Sequence, residues 1–350
     1  MIARLRHNRA LQFVLVLAML GAMVALLWWR GPDWDVVYHA FDLVNWAWVV
    51  FALGLNLGSV LVRALAWRLT IDQALEEPHP PFNHVFSAFA VGLLGNAALP
   101  GRIGELARVA VLRRRLPQHG SGTTATLVGT VFAHRLFDVV PALLLVGYVL
   151  TTAKIPYWAV TSLEFVCVLG VGLFVLGVIG ARRGDRTALE GAKPLKRLLA
   201  MARQGLSVLR SPLPAAAAIL LQCLGWFLQL LAVYVAMRAF DIHAPLPAAG
   251  LVLLLMNVAT IFPLWPGNIG LLQAAVALPL VQYGVPYSTG FAYGLVLQVV
   301  EMSVGVGVGL IFLAREGISF ATLRDMPEAV ELPPEVVDPE PQRERAGALG

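Results

Sequence analysis

Charged residues within strongly apolar sequence are the first candidates for chemistry in this chain. Arg102, Glu105 and Arg108 follow a break in one apolar stretch at three-residue steps, which places them close to one face of a helix. Arg135 and Asp138 lie one turn apart in the middle of another apolar stretch. Charges at such depth are costly unless they face a cavity or a partner. They form either a site for a charged ligand or a neutralised structural network, with Arg135–Asp138 and Arg102–Glu105 pairs.

The break that precedes this helix occurs twice in the chain. The sequence PGRIG at 100–104 reappears as PGNIG at 266–270, and we call the separation between Pro100 and Pro266 the repeat offset. Proline suits a helix start and glycine permits a tight turn, so we expect a helix to begin after each pair. Its free N–H groups and positive dipole end favour an anion such as a phosphate or carboxylate headgroup. The predicted hairpin-forming residues are Pro100, Gly101, Gly104, Pro266, Gly267 and Gly270.

The repeat offset also relates the neighbouring apolar segments. It brings 123–150 onto 287–314 and places Arg135 on Glu301. Glu301 has no basic residue near it on its own helix, so Arg135 or Arg102 is its expected partner. The predicted substrate-binding residues are Arg102, Glu105, Arg108, Arg135, Asp138, Asn268 and Glu301.

The elements that must position these residues are membrane helices. Of the 350 residues, 58% are hydrophobic and 13% are charged, whereas soluble domains carry about 25% charged residues. Apolar runs of roughly 20 residues are long enough to cross a bilayer as helices. The sequence therefore predicts an all-α integral membrane protein with six spans and two re-entrant helical hairpins in an inverted-topology repeat. The predicted spans are 10–29, 44–63, 123–150, 158–180, 214–238 and 287–314.

The charge distribution predicts the orientation of the chain. Basic residues at the N-terminus and Arg63 and Arg68 after the second span indicate cytoplasmic positions in the cell (inner) membrane, with both termini inside. The stretch 82–116 has basic residues on both sides, as a hairpin entered from inside would, and 248–285 is entered from outside. Inverted repeats of this kind are typical of transporters. A duplicated structural scaffold is the alternative.

The domain prediction follows from the same features. Residues 1–315 form a single transmembrane domain, with repeat one at about 44–150 and repeat two at about 214–314. The basic cytoplasmic linker 181–212 is either an amphipathic helix on the inner headgroups or a solvated loop. The acidic, Pro-rich tail 316–350 is predicted to be disordered and cytoplasmic.

Several function classes are excluded by what the sequence lacks. It contains no metal-ligand cluster, phosphate-binding loop or nucleophile elbow, so we expect no catalytic residues, no metal and no cofactor, and not an enzyme. The net charge of +5 comes from residues beside apolar runs, where topology explains it better than nucleic acid does. Cys167 and Cys223 lie in apolar segments and are expected to be packed thiols.

Three motifs carry a resemblance to a known family. They are NAALPGRIGELAR at Asn96–Arg108, HRLFD at His134–Asp138 and FPLWPGNIGLLQ at Phe262–Gln273. With them the chain resembles the flippase-like family typified by the transmembrane region of lysylphosphatidylglycerol synthases, without their soluble aminoacyl-transferring domain. Family members often carry acids where this chain has His134 and Gln273, which argues against a proton-coupling role at those two positions.

The resemblance implies movement of a lipid or lipid-linked substrate between leaflets. Together with the basic hairpin, it predicts a flippase-like transporter of an anionic lipid, with the headgroup at the re-entrant helix N-termini. The alternative is a non-transporting membrane subunit that binds lipid and supports a partner, such as a glycosyltransferase or a lipid-modifying enzyme. An integral membrane transferase is a third interpretation.

Overall fold

The computed structural model describes residues 31–98, 104–117, 123–155, 211–261 and 268–319, with a few isolated positions outside these ranges. Every regular element in these ranges is helical, which confirms the all-α class. Only scattered positions of the predicted spans 10–29 and 158–180 are described, and these are helical. Most of the linker 181–212 and nearly all of the tail 316–350 lie outside the described residues.

Ten α-helices and one π-helical turn make up the described elements. They are α1 Trp34–Asp42, α2 Trp46–Ala74, α3 Phe82–Ala98, α4 Gly104–Arg114, α5 Thr123–Thr152, α6 Pro212–Ala239, α7 Leu246–Ile261, α8 Leu271–Val281, α9 Tyr287–Met302, the π-helical turn Ser303–Val308 and α10 Gly309–Arg315. The helices α9 and α10 form one continuous long helix through the turn, and we call each helix that is long enough to cross a membrane a rod.

Four of the described helices are long and apolar enough to cross a membrane: 46–74, 123–152, 212–239 and 287–315. At about 1.5 Å per residue, each exceeds the roughly 30 Å hydrocarbon core. The chain is therefore a multi-pass membrane protein.

The helix α2 continues past the predicted end of the span 44–63, to Ala74. The prediction took Arg63 as a marker of the membrane surface. In the structure Arg63 lies inside the helix and is paired with Asp138, so its charge does not have to reach the interface. The helix also buries Trp67 and Ile71 beyond it.

The rods α2 and α6 cross closely at the centre of the molecule. The Ser59 hydroxyl on α2 donates to the Gly225 carbonyl on α6 at 2.8 Å. A β-carbon on Gly225 would lie 2.7 Å from Cγ of Arg63, so only glycine lets the arginine side chain pass over α6. Ser59 and Gly225 are 166 residues apart, which equals the repeat offset between the two sequence breaks.

Two pairs of short helices pack against the rods. In the first pair α3 and α4 are antiparallel, with Gly104 at their closest approach: a β-carbon there would lie 2.5 Å from the Asn96 backbone nitrogen and would overlap the Gly92 carbonyl oxygen. In the second pair, α7 and α8, Asn268 has a positive φ of 46° and donates from Nδ2 to the Ala259 carbonyl at 3.1 Å. Gly270 follows with φ of 90°.

Each pair of short helices is hydrogen-bonded to residues just beyond the end of a rod, and the rod differs between the two pairs. At the first pair, Ser87 of α3 donates to Glu316 at 2.6 Å and Arg115 after α4 donates to Glu316 at 3.0 Å, just beyond the end of α10. At the second pair, the Tyr283 hydroxyl after α8 accepts from the Lys154 backbone N–H at 2.7 Å, just beyond the end of α5.

The elements repeat along the chain. The bounds of α2 to α5, shifted by the repeat offset, fall within three residues of the bounds of α6 to α10. The correspondence extends to helix interruptions: Pro141 lies inside α5, and its counterpart at the repeat offset lies inside the π-helical turn Ser303–Val308.

Candidate functional site

Asp138, on α5, is the acceptor at the centre of a polar cluster. Its Oδ1 accepts from Arg63 at 3.0 Å, from Gln222 at 3.1 Å and from the Trp226 indole at 3.0 Å, while Oδ2 accepts from Arg135 at 3.1 Å. The residue is 9% exposed. Three rods, α2, α5 and α6, therefore meet at one carboxylate.

Glu105, in the first turn of α4, is the second acceptor. It accepts hydrogen bonds from Arg135 and, at 3.1 Å, from Asn96 Nδ2 on α3, and it forms an ion pair with Arg108 at 2.6 Å. Because Arg135 contacts both Glu105 and Asp138, it joins the first short-helix pair to the rods.

Arg108 is the most deeply buried charge of the cluster, with 3% of the residue exposed. Its guanidinium lies 4.7 Å from the centre of the Trp67 ring and 5.6 Å from that of Phe89. Aromatic faces attract cations when water is excluded, so the two rings replace part of the lost hydration. The Nε atom of Arg108 has no hydrogen-bond acceptor among the described residues.

Local sequence explains how these side chains converge. Glu105 and Arg108 are three residues apart on α4, and Arg135 and Asp138 have the same spacing on α5, so each pair shares a helix face. Arg63 reaches Asp138 over Gly225, with its guanidinium 5.7 Å from the centre of the Trp226 ring.

Arginines outnumber carboxylates in the ion pairs of the cluster. Three guanidinium groups (Arg63, Arg108 and Arg135) form ion pairs with two carboxylates (Glu105 and Asp138) among the described residues, and a third carboxylate, Glu301, is close enough to interact electrostatically with Arg63. The Arg135 side chain is 43% exposed, against 20% for Arg63 and 3% for Arg108. An anion can therefore approach the cluster at Arg135.

The second half of the chain holds a smaller network of amides. Glu301 accepts from Gln229 Nε2 at 3.2 Å. Gln273 accepts from the Gly270 N–H at 2.6 Å and donates to Gln298 at 2.5 Å. No group of three or more His, Cys, Asp or Glu side chains that could hold a metal occurs in the part of the chain that the structure describes.

The structure brings together four of the predicted site residues, Glu105, Arg108, Arg135 and Asp138. The Arg135–Asp138 pair is as predicted. Of the two partners expected for Glu301, Arg135 pairs instead with Glu105 and Asp138, and Arg102 lies outside the described residues. The Glu301 carboxylate accepts from Gln229, because α6 lies beside α9. Asn268 is 6% exposed and bonds to α7. The predicted residues Pro100, Gly101, Arg102, Pro266 and Gly267 lie outside the described residues.

Sequence reasoning missed four residues that the cluster uses: Asn96, Arg63, Gln222 and Trp226. One signal was available for Arg63. Its counterpart at the repeat offset is Gln229, in the middle of a predicted span, so Arg63 belonged at the same depth and not at a membrane surface. Spacing within one helix carries no comparable signal for Gln222 or Trp226, because their contacts depend on how α5 and α6 cross.

Similarity to known membrane proteins extends over most of the chain. The sequence model of the lysylphosphatidylglycerol synthase transmembrane region matches residues 10–309. The chain belongs to this family. It is similar to the UPF0104 membrane protein MJ1078 of Methanocaldococcus jannaschii, with 24% identity over 208 residues, 56% of this chain and 83% of that protein. No solved structure matches the chain significantly. The resemblance found in the three sequence motifs is thereby confirmed.

Proposed function

We propose that this membrane protein moves an anionic lipid or lipid-linked substrate between leaflets and binds the headgroup at the charged cluster. The observation that carries the proposal is the gathering of three guanidinium groups around two carboxylates, with the Arg135 side chain 43% exposed. Burying charge in a membrane is expensive and usually marks a substrate or ion pathway. A bound phosphate would meet the exposed guanidinium of Arg135.

Arginine suits this role through its geometry as well as its charge. The planar guanidinium presents paired donors that match a phosphate, and it always carries a proton. In the proposal, Arg135 meets the headgroup, while Asp138 and Glu105 hold Arg135 in place. Arg102 and Asn268, at the predicted helix starts, remain candidates for further headgroup contacts.

The second part of the proposal is that the two short-helix pairs are re-entrant hairpins of an inverted repeat. The repeat offset recurs in the element bounds. The first pair is fastened beyond the end of α10 and the second beyond the end of α5, and the chain traverses these two rods in opposite directions. Transporters with inverted repeats bind their substrates at such interfaces near the midplane.

The function is tested by reconstitution. We expect the purified protein in vesicles to move fluorescent phosphatidylglycerol between leaflets, and the Arg135→Gln variant to lose most of this movement while remaining folded. Arg238→Gln is the matched control, because Arg238 lies at the end of α6 and bonds Tyr234, away from the cluster. Unchanged movement in folded Arg135→Gln would contradict the assigned site.

The same assay separates the alternatives. Binding of phosphatidylglycerol without leaflet movement would favour a lipid-binding subunit that supports a glycosyltransferase or a lipid-modifying enzyme. Chemical turnover of the lipid would favour a transferase.

The inverted arrangement has its own test. With Cys167 and Cys223 replaced by alanine, single cysteines at Asn83 and His243 report the sides from which α3 and α7 start. Both positions are exposed. We expect a membrane-impermeant maleimide to label Asn83→Cys from one side only and His243→Cys from the other only. Labelling of both from the same side would exclude the inverted repeat.

A further inference from the structure

An apolar cleft begins next to the charged cluster and runs between α5 and α6 to the start of α7. Its volume is about 320 Å³, and its lining includes Leu145, Tyr148, Cys223 and Leu246. The wall side chains Leu144 and Phe227 are 64% and 50% exposed, so the cleft opens on the outer surface of the helix bundle.

The cleft continues the helix face that carries the acidic centre of the cluster. On α5, Asp138 is followed at helical spacing by Pro141, Leu145 and Tyr148, which all line the cleft. The same face is therefore charged at one end and apolar for the next three turns.

The facing helix repeats this polarity. On α6, Gln222 bonds Asp138, and Trp226 and Leu230 follow at steps of four residues and line the cleft. Trp226 belongs to both regions: its indole N–H donates to Asp138 at 3.0 Å, and its ring forms part of the apolar wall. The two regions thus form one amphipathic groove.

The dimensions of the groove match one leaflet. Ten residues separate Asp138 from Tyr148, which corresponds to about 15 Å along α5. This is half of the roughly 30 Å hydrocarbon core of a bilayer. A ligand with its polar end at the cluster would need an apolar part of about the length of one lipid chain.

We infer that the cleft holds one hydrocarbon chain of the anionic lipid whose headgroup the cluster binds. The inference rests on the proposed function and adds the position of the chain: between α5 and α6, directed toward Thr152 and Ala239. Trp226 is the junction at which headgroup contacts end and chain contacts begin. The guanidinium groups at one end and the apolar wall at the other select an anionic amphiphile over a free anion.

The first test fills the cleft. Cys223→Trp places an indole inside it, and the matched control is Leu57→Trp, at the equivalent position of α2 by the repeat offset, where the side chain is 37% exposed. Native mass spectrometry of the full chain in mild detergent with phosphatidylglycerol measures retention. We expect lipid retention by Cys223→Trp to fall by roughly tenfold or more. Leu57→Trp should retain as much lipid as the unmodified protein.

The second test uses the native thiol and fills nothing, so it also serves if Cys223→Trp fails to fold. Both cysteines are free, and Cys167→Ala leaves Cys223 as the single target. We expect phosphatidylglycerol to slow maleimide labelling of Cys223 several-fold, and glycerol phosphate, which has the headgroup charge and no chain, to leave the rate unchanged.

The outcomes distinguish this inference from the proposed function. Full lipid retention in folded Cys223→Trp, or an unchanged labelling rate with phosphatidylglycerol, would overturn the chain site while loss of retention in Arg135→Gln still supported the headgroup site. Full retention in Arg135→Gln would overturn the proposed function, and with it the assignment of the chain to that lipid.

Discussion

The two halves of the molecule share a helical frame and differ in chemistry. Ser59 and Gly225, equivalent by the repeat offset, touch where α2 crosses α6, and the element bounds agree to within three residues. Around this crossing the first half places a charged cluster, whereas the second half has mostly neutral residues. The second-half counterparts of Arg63, Glu105, Arg108, Arg135 and Asp138 are Gln229, Leu271, Ala274, Glu301 and Val304.

The difference shows that backbone architecture and site chemistry vary independently in this fold. Hydrogen-bonded amides cost little in a membrane interior, whereas charges require partners or a ligand. Confining the guanidinium groups to one half concentrates positively charged side chains in one place. Both halves share the helical frame, but only the first half carries the guanidinium groups of the headgroup site that we propose.

Removing the carboxylate at the centre of the charged cluster should have the greatest effect on stability. Asp138→Asn should lower the free energy of unfolding by about 3–5 kcal/mol, because it leaves buried guanidinium groups without their acceptor. Thermal unfolding in detergent measures the loss. The double variant Asp138→Asn/Arg63→Gln should recover part of it. An Asp138→Asn protein as stable as the parent would mean that the carboxylate does not hold the rods together.

A smaller effect tests the crossing that carries Arg63 into the cluster. Gly225→Ala should destabilise the protein by about 1–3 kcal/mol, because the added carbon would lie 2.7 Å from Arg63 Cγ. Gly58→Ala is the control on the facing helix, where only Leu228 is near, at 3.7 Å, and the gain in helix propensity should leave stability unchanged or raised by up to about 1 kcal/mol. Equal unfolding temperatures for the two variants would show that the crossing tolerates a side chain.

The mostly neutral second half should lose little stability when its carboxylate is neutralised. Glu301→Gln should change the free energy of unfolding by less than about 1 kcal/mol, because its hydrogen-bond donor, Gln229, can also bond an amide. The unfolding temperature beside that of Asp138→Asn is the measurement. A loss as large as that of Asp138→Asn would mean that the second half also depends on its charge.

The smallest effect is a difference in pH dependence between the hydrogen bonds that hold the two short-helix pairs. Burial raises the pKa of the Glu316 carboxyl, but its bonds from Ser87 and Arg115 outweigh this, and the net pKa lies below its usual value. Glu316 should therefore add stability above about pH 4.3, its ordinary unfolded value, and lose it as the pH falls through the folded value. We expect the unfolding-temperature gap between the parent and Glu316→Gln to close in acid.

The hydrogen bond at the second pair supplies the control for that experiment. Tyr283 accepts a hydrogen bond from a backbone N–H, and no carboxylate takes part in this bond. The gap between the parent and Tyr283→Phe should therefore stay constant over the same acid range in which the Glu316→Gln gap closes. A gap that closed equally for both variants would point to general acid destabilisation and not to Glu316.

Much of the fold and part of the site could be predicted because they depend on spacing along one helix. Apolar runs gave the rods, and the three-residue steps correctly grouped Glu105 with Arg108 and Arg135 with Asp138. Contacts between helices were less accessible. Arg63 was taken for an interfacial residue, since its partner lies 75 positions away and its path depends on Gly225.

In both halves one long helix contains an interruption at which it can bend. Pro141 cannot donate a backbone hydrogen bond within α5, and the π-helical turn Ser303–Val308 widens the corresponding rod at the matching position. Helices bend most readily at prolines and π-bulges. Both rods thus carry a site of easy bending at equivalent positions of the two halves, one turn beyond Asp138 in α5 and just beyond Glu301 after α9. Thermal flexing of the bundle should concentrate at these two sites and leave the segments that hold the cluster stiff.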